Sequence, residues 1–515
     1  MKKLIDFPAN RLTMFFVWLF AVIAPWIFYC CRIGHVFIDV VLFHGFCQAL
    51  LWIMMLSAVA VSILAFLRQR VAPYNDDEAM PQQFRIACFV FFVITVVFTV
   101  VWVVSLAVMG VESAPIAGKM LADTLPFGTA VIVAGGLFLF LPALKNRKVR
   151  TAVAVCVIAV GFFAVVGSLY PLRTYDFVSA PMVIDTGDGY SVVFATTDTG
   201  TGYIEYSYEG QNYKIYDTAD GRKVNSRIHS FSVPYEHLNN NTYRVGATRV
   251  IDELSYGGTN GKTIVSDEYA FRRNDGEVQK ILCVSDWHTR ISKAEKVISL
   301  RGGYDAVILL GDAAAGLQYE EEAADYIVRF GGEVSGGVIP VIYTRGNHET
   351  RGAYAAELSD ALGLDSFYHE VVSGDYRFII LDSVEDKPDE HPEYGGMADY
   401  STYRAGMIDW LESLSPDETK KTIIVCHDRD VCIEEDLRER AFAAFEELDA
   451  TVMLSGHSHD CELILTESLP IYTDGGFKNG KYVASEITLS PTGMSIYGWS
   501  ADGEVQSATF AWETL

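Results

Sequence analysis

Apolar residues are crowded into one end of this chain. Residues 14–31, 46–67, 86–109, 126–144 and 152–169 form five nearly uncharged stretches, each close to the roughly 20 residues needed to cross a hydrocarbon core. Inside a bilayer every backbone amide must find its partner within the segment, so such stretches fold as helices. A membrane domain of five transmembrane helices is therefore expected over residues 1–172. Basic residues alternate by side. Lys2, Lys3 and Arg11 precede the first stretch, Arg68, Arg70 and Arg85 separate the second from the third, and Lys145, Arg147, Lys148 and Arg150 separate the fourth from the fifth. The other two loops hold only Arg32 and Lys119. Positive charge marks the cytoplasmic side, which places the N-terminus in the cytoplasm and everything beyond about residue 170 outside it. The expectation is a multi-pass cell-membrane protein with an extracytoplasmic C-terminal part. The stretches carry almost no ionisable groups, which argues for anchoring rather than transport.

Charge divides the chain at the same point. Residues 1–170 carry 12 Lys/Arg and 7 Asp/Glu, leaving 28 and 58 for the remaining 345 residues. So acidic a body is a poor match for a nucleic-acid backbone, and no nucleic-acid binding is expected. An anionic substrate would need a local positive centre. The nine cysteines show no zinc-knuckle or disulfide-framework spacing. Cys283 and Cys426 lie in short apolar runs and are expected in the core, while Cys432 and Cys461 remain a pair that an oxidising compartment would allow to bridge.

From residue 177 to 273 the pattern changes to short alternating runs, at 190–196, 202–208, 213–216, 228–233, 242–250 and 262–271, bounded by Gly, Asn and Asp. Strands at roughly ten-residue spacing predict a β-sandwich, assigned to residues 173–275. Pro181, residues 191–197, residues 229–233, Leu238, Thr242 and Tyr243, in that order, resemble the fibronectin-type domain that precedes the catalytic domain of purple acid phosphatases. A spacer or substrate-facing wall is expected, with no chemistry of its own.

Beyond residue 280, apolar runs end in tight polar clusters: Ser285-Asp286-Trp287-His288, Gly311-Asp312, Gly346-Asn347-His348-Glu349, Cys426-His427-Asp428 and Gly456-His457-Ser458-His459. Strands that deliver ligands from their C-terminal ends into loops give this pattern in an α/β fold. A Gly-Asp alone is usually a turn and a lone His usually structural. Five clusters in this order, across residues 280–490, resemble the calcineurin-like metallophosphoesterases, and Trp410-Leu411 adds a softer match. The resemblance implies an α/β catalytic domain over 276–515, with two mixed sheets flanked by helices. It also implies a dinuclear centre in which Asp312 bridges, Asp286, His288 and His459 complete one metal, and Asn347, His427 and His457 the other.

Such a donor set suits Mn, Fe, Zn or Co better than Ca or Mg. Two cations about 3.5 to 4 Å apart supply a metal-bound hydroxide and a counter-charge for the phosphoryl oxygens. His348 is the expected general acid, with Glu349 a candidate to orient it, and Arg351, less so Arg345, a candidate to fork onto phosphate oxygens. Ala315 stands where purple acid phosphatases carry a metal-binding tyrosine, and His288 adds a histidine that their first cluster lacks. The leading expectation is a membrane-anchored phosphoesterase for phosphate mono- or diesters. A catalytically silent metal-binding receptor or interaction module, and a hydrolase of lipid-linked phosphates, are the alternatives. Residues 386–403, rich in Asp, Pro, Gly and Tyr, are expected to shape the pocket. Oligomeric state is left open.

Overall fold

A computed structural model describes residues 174–514 except 255–256 and 467–468, together with three isolated positions at 149, 152 and 159. Apart from the isolated positions 152 and 159 in the fifth, the five expected membrane helices lie outside the described residues. Among the described residues, no helix is long and apolar enough to cross a membrane.

The catalytic part is built on two sheets. In the first, Gln279–Val284, Ala306–Leu309 and Val341–Tyr343 run parallel, and Lys481–Ser490 pairs antiparallel with the Gln279 strand. Gly493–Ser500 and Gly503–Ala511 extend that side. In the second, Tyr376–Ile380, Lys421–Val425, Ala450–Ser455 and Ile471–Thr473 are parallel, with His369–Ser373 and Glu462–Ile464 antiparallel at the edges. This is an α/β arrangement with mixed sheets.

Side chains alternate across each strand, so a strand buried on both faces reads as an unbroken apolar run. Ile281 and Cys283 face inward to meet Phe378, Ile423, Val425 and Leu454 of the opposite sheet. Leu282 and Val284 face outward and are covered from helices Ile291–Ile298 and Arg329–Ser335. The first helix buries Ile291, Ala294, Val297 and Ile298, a one-sided stripe that fixes which face meets the sheet. Outside the second sheet, Ile379, Ile424 and Met453 meet helices Tyr400–Ser413 and Glu435–Glu447. Cys283 and Cys426 are fully buried, and Cys432 and Cys461 are both free thiols.

The middle segment departs from the sequence expectation. Strands expected at 190–196 and 202–208 are one strand, Gly189–Tyr208. Met182–Asp185 pairs parallel with the catalytic strand Val341–Tyr343 at Ile184↔Val341, and antiparallel with Gly189–Tyr208. Met182, Ile184, Val193, Ala195 and Ile228 lie in the same core as Leu282 and Leu309. Tyr175–Val250 and Lys262–Leu515 fall in one compact unit. Alternation shows that a run is a strand and says nothing about its neighbour. A separate fibronectin-type sandwich is not shown.

Candidate metal centre

All five polar clusters emerge at one end of the two sheets. Neighbouring loops are laced together there, with Asp286 N–H donating to Gly311 O at 3.0 Å, His288 N–H to Asp312 O at 3.0 Å and Gly456 N–H to His427 O at 2.8 Å. Asp286, His288, Asp312, His457 and His459 have φ between 39° and 65°, a region that non-glycine residues rarely adopt outside functional loops. Glycines allow the loops to close. A Cβ on Gly346 would stand 2.2 Å from Asp312 Oδ1, and one on Gly456 would stand 3.0 Å from Asp286 Oδ2.

Two constellations result. Ligand atoms of Asp286, His288 and His459 lie within 4.8 Å of one another, and so do those of Asp312, His427 and His457. His288 and His348 also group with Asp312. Asp312 thus stands between the groups, its Oδ1 3.4 Å from His427 Nε2 and its Oδ2 3.7 Å from His288 Nε2. His457 Nε2 lies 3.9 Å from Asp428 Oδ2. Asn347 is less directly engaged. In the amide orientation its neighbours satisfy, its nitrogen faces Asp312 Oδ1 at 3.3 Å and its oxygen accepts from Arg351 Nη2 at 2.8 Å.

Backbone carbonyls behind the rings decide the tautomers. Nδ1 of His288 donates to Ala314 O at 3.4 Å, Nδ1 of His459 to Phe477 O at 2.9 Å, and Nδ1 of His427 to Leu310 O. A carbonyl can only accept, so each Nδ1 carries a proton and Nε2 is the nitrogen that each ring turns to the centre. His288 Nε2 and His459 Nε2 face each other at 3.4 Å. Asp286 Oδ1 is buried beside them without a hydrogen-bond partner, 3.3 Å from His459 Nε2. Lone pairs and a bare carboxylate oxygen converging in a buried place are unfavourable until a cation joins them, so the residues present fit a metal site.

The electrostatics agree. Burial alone would raise the Asp312 carboxyl, but His427 overrides it and holds it well below the usual range. Burial works against protonation of His427, yet Asp312 pushes that imidazole up to about 10. Burial keeps His288 below its ordinary value despite Asp312 and Asp286. The field that binds a proton at His427 is the field that would bind a cation there, and the two compete.

His348 sits on the rim. Its Nδ1 donates to Ala315 O at 3.2 Å, its backbone N–H donates to Asp312 Oδ1 at 3.0 Å, and its Nε2 accepts from Arg351 Nη1 at 3.1 Å. Arg351 is held by a two-pronged ion pair with Glu385, at 2.5 and 3.0 Å. Arg345 turns away from the centre to pair with buried Asp382 at 2.8 Å.

Three residues carry more than sequence reasoning assigned. Glu349 does not contact His348 through its side chain; it accepts from the backbone N–H groups of Gly346, Asp312 and Ala313 at 2.7, 2.8 and 2.6 Å, tying two ligand loops together. Burial, reinforced by Asp312, pushes its carboxyl up to about 7. Glu385 anchors Arg351, and Asp474 accepts from Ser285 Oγ at 2.9 Å directly behind Asp286. Glu385 and Asp474 each follow a strand within a few residues, a weak signal because acidic residues are common in loops.

Family comparison agrees with this geometry. Residues 279–461 match the calcineurin-like phosphoesterase family. All seven expected ligands lie within the matched residues, so the centre of His and Asp residues belongs to a calcineurin-like phosphoesterase domain. No curated protein matches the chain. Among solved structures, one described as the structure of PhoD is 12% identical, over 66% of this chain and 90% of that one, with a TM-score of 0.44. GAP50, described as the anchor in the inner membrane complex of Plasmodium, is 12% identical over 46% and 89%, with a TM-score of 0.32. The phosphopantetheinyl hydrolase PptH from Mycobacterium tuberculosis is 16% identical over 38% and 89%, with a TM-score of 0.26.

Proposed function

We propose that this chain hydrolyses phosphate mono- or diesters at a centre of two metal ions, and that a membrane-held chain presents the centre outside the cytoplasm. The observation that carries the catalytic reading is the pair of imidazole lone pairs facing each other at 3.4 Å beside the partnerless Asp286 oxygen. Asp312, within reach of both constellations, fits a bridging role. Imidazole and carboxylate donors together favour Mn, Fe, Zn or Co. When bound, such ions supply an activated water and a counter-charge for the phosphoryl oxygens.

The chain's own residues do the rest. His348 stands at the rim with Nε2 3.9 Å from Asp312 Oδ2 and serves as the acid for the leaving oxygen. Its Nε2 first accepts from Arg351. A substrate phosphate draws Nη1, the arm of the guanidinium that Glu385 does not hold, to its own oxygens, and Nε2 then takes a proton from solvent to pass to the leaving oxygen. Glu385 keeps the fork aimed throughout.

Metal analysis of the purified full-length chain, paired with chromogenic mono- and diester assays, tests this. Close to two transition-metal ions per chain are expected, with both metal and activity lost in Asp312→Asn. A chain without bound transition metal, or an Asp312→Asn variant of unchanged activity, overturns the reading. The location rests on the five apolar stretches and their alternating basic loops. Protease added to intact cells should cleave the part beyond residue 174, and protection of that part would reverse the orientation.

A further inference from the structure

Beside the metal centre lies a cavity of about 560 Å³, lined by Arg351, Ala356, Glu393, Tyr394, Met397 and Tyr400 among others. One of its lining residues, Arg351, touches His348, the residue that faces the leaving group if it is the acid. Its size is that of a small-molecule site, which typically runs from about 300 to 1,000 Å³. The loop that forms its far wall is fixed. Asp389 accepts from the backbone N–H groups of Tyr400 and Ser401 at 2.9 and 3.1 Å, and Lys387 pairs with Glu393 at 2.9 Å.

The lining excludes one class of ligand. Of the cations that line it, Arg345 is matched by Asp382 and Arg351 by Glu385, and Glu393 adds negative charge, so no group among the described residues is placed to receive a second phosphate. The aromatic and apolar groups favour another class. Tyr394 and Tyr400 meet edge to face with centroids 5.6 Å apart, and Met397 stands 90% exposed at the lip, an adaptable apolar surface available for burial.

We infer that this cavity is the leaving-group pocket, and that it takes an uncharged organic group with an aromatic or apolar face rather than a nucleotide polyphosphate. This rests on the phosphoesterase reading. Methyl, phenyl and 2-naphthyl phosphates, of which the last two leave as phenols of similar acidity, are compared on the full-length chain and on Ala356→Trp, which intrudes into the cavity. The wild-type chain should prefer the naphthyl over the phenyl ester by about tenfold in kcat/KM, the size of one good aromatic contact. Ala356→Trp should abolish that preference and leave methyl phosphate within about twofold. Equal falls on all three esters, or a preference that survives, overturn the pocket while the phosphoesterase reading stands. Failure to hydrolyse any of the three, and the chromogenic diester as well, refutes that reading. Binding of non-hydrolysable naphthylmethylphosphonate then decides the pocket separately: it should weaken about tenfold in Ala356→Trp, and equal binding to both chains rejects the assignment.

Discussion

His348 concentrates the chemistry of a single residue. Its Nδ1 is committed to the Ala315 carbonyl and its Nε2 is shared with Arg351, so the proposed role as acid requires Arg351 to let go of Nε2 when the substrate engages. His348→Asn should lower kcat by about 100- to 10,000-fold, the usual worth of a general acid. Metal content should stay at the wild-type level, and the loss should be steeper for esters with poor leaving groups. A fall in bound metal parallel to the fall in kcat would instead make His348 a ligand. Arg351→Lys keeps the charge but removes the fork, and a rise in KM larger than the fall in kcat is expected for it. The family resemblance in the sequence marked His348 as the candidate acid through its place after Asn347. It did not show Glu385, which comes close to Arg351 only because two strand ends meet in space.

Glycine decides whether the ligand loops can close. Gly346 separates a strand from the Asn347–Thr350 turn and presses against Asp312 with no room for a Cβ. Gly346→Ala is therefore expected to empty the centre rather than unfold the chain, seen as loss of bound metal with an unchanged far-UV circular dichroism spectrum. Retained metal would show that the Asp312 loop can yield. The clusters were legible because each follows an apolar run and each glycine sits where the backbone must approach another loop. Less legible was the service of Glu349. Three backbone donors from two different loops converge on its carboxylate, and no local pattern announces a contact between segments so far apart.

At the scale of the whole molecule, one sheet runs through what the sequence divides. Because Ile184 pairs with Val341 and Met182 and Ile184 are fully buried in the catalytic core, a fragment starting at residue 276 loses part of that core. Each buried aliphatic side chain is worth about 1.5 to 3 kcal/mol. Expressed alone, 276–515 should be insoluble or melt well below a fragment starting at residue 174, and equal melting temperatures would restore the boundary. A second whole-molecule property is pH-dependent stability. A hydrogen bond with Glu333, aided by burial, pushes Glu295 up to about 7. Its folded value therefore lies above its unfolded one, so its stabilising effect is complete below about pH 4.5 and disappears as pH rises through about 7. Glu295→Gln should lessen the decline in urea midpoint between pH 5 and 8, and a parallel shift at every pH would contradict this. By itself, the sequence determined the five apolar stretches, the alternation of the strands and the residues that gather at the centre, because periodicity, charge and motif order are written locally. Tertiary structure alone decided that Met182–Asp185 completes the catalytic sheet, that Glu349 joins two loops and that Arg351 leans on Glu385. Those are pairings between distant segments, fixed by which buried surfaces and charges can satisfy each other once the chain is closed.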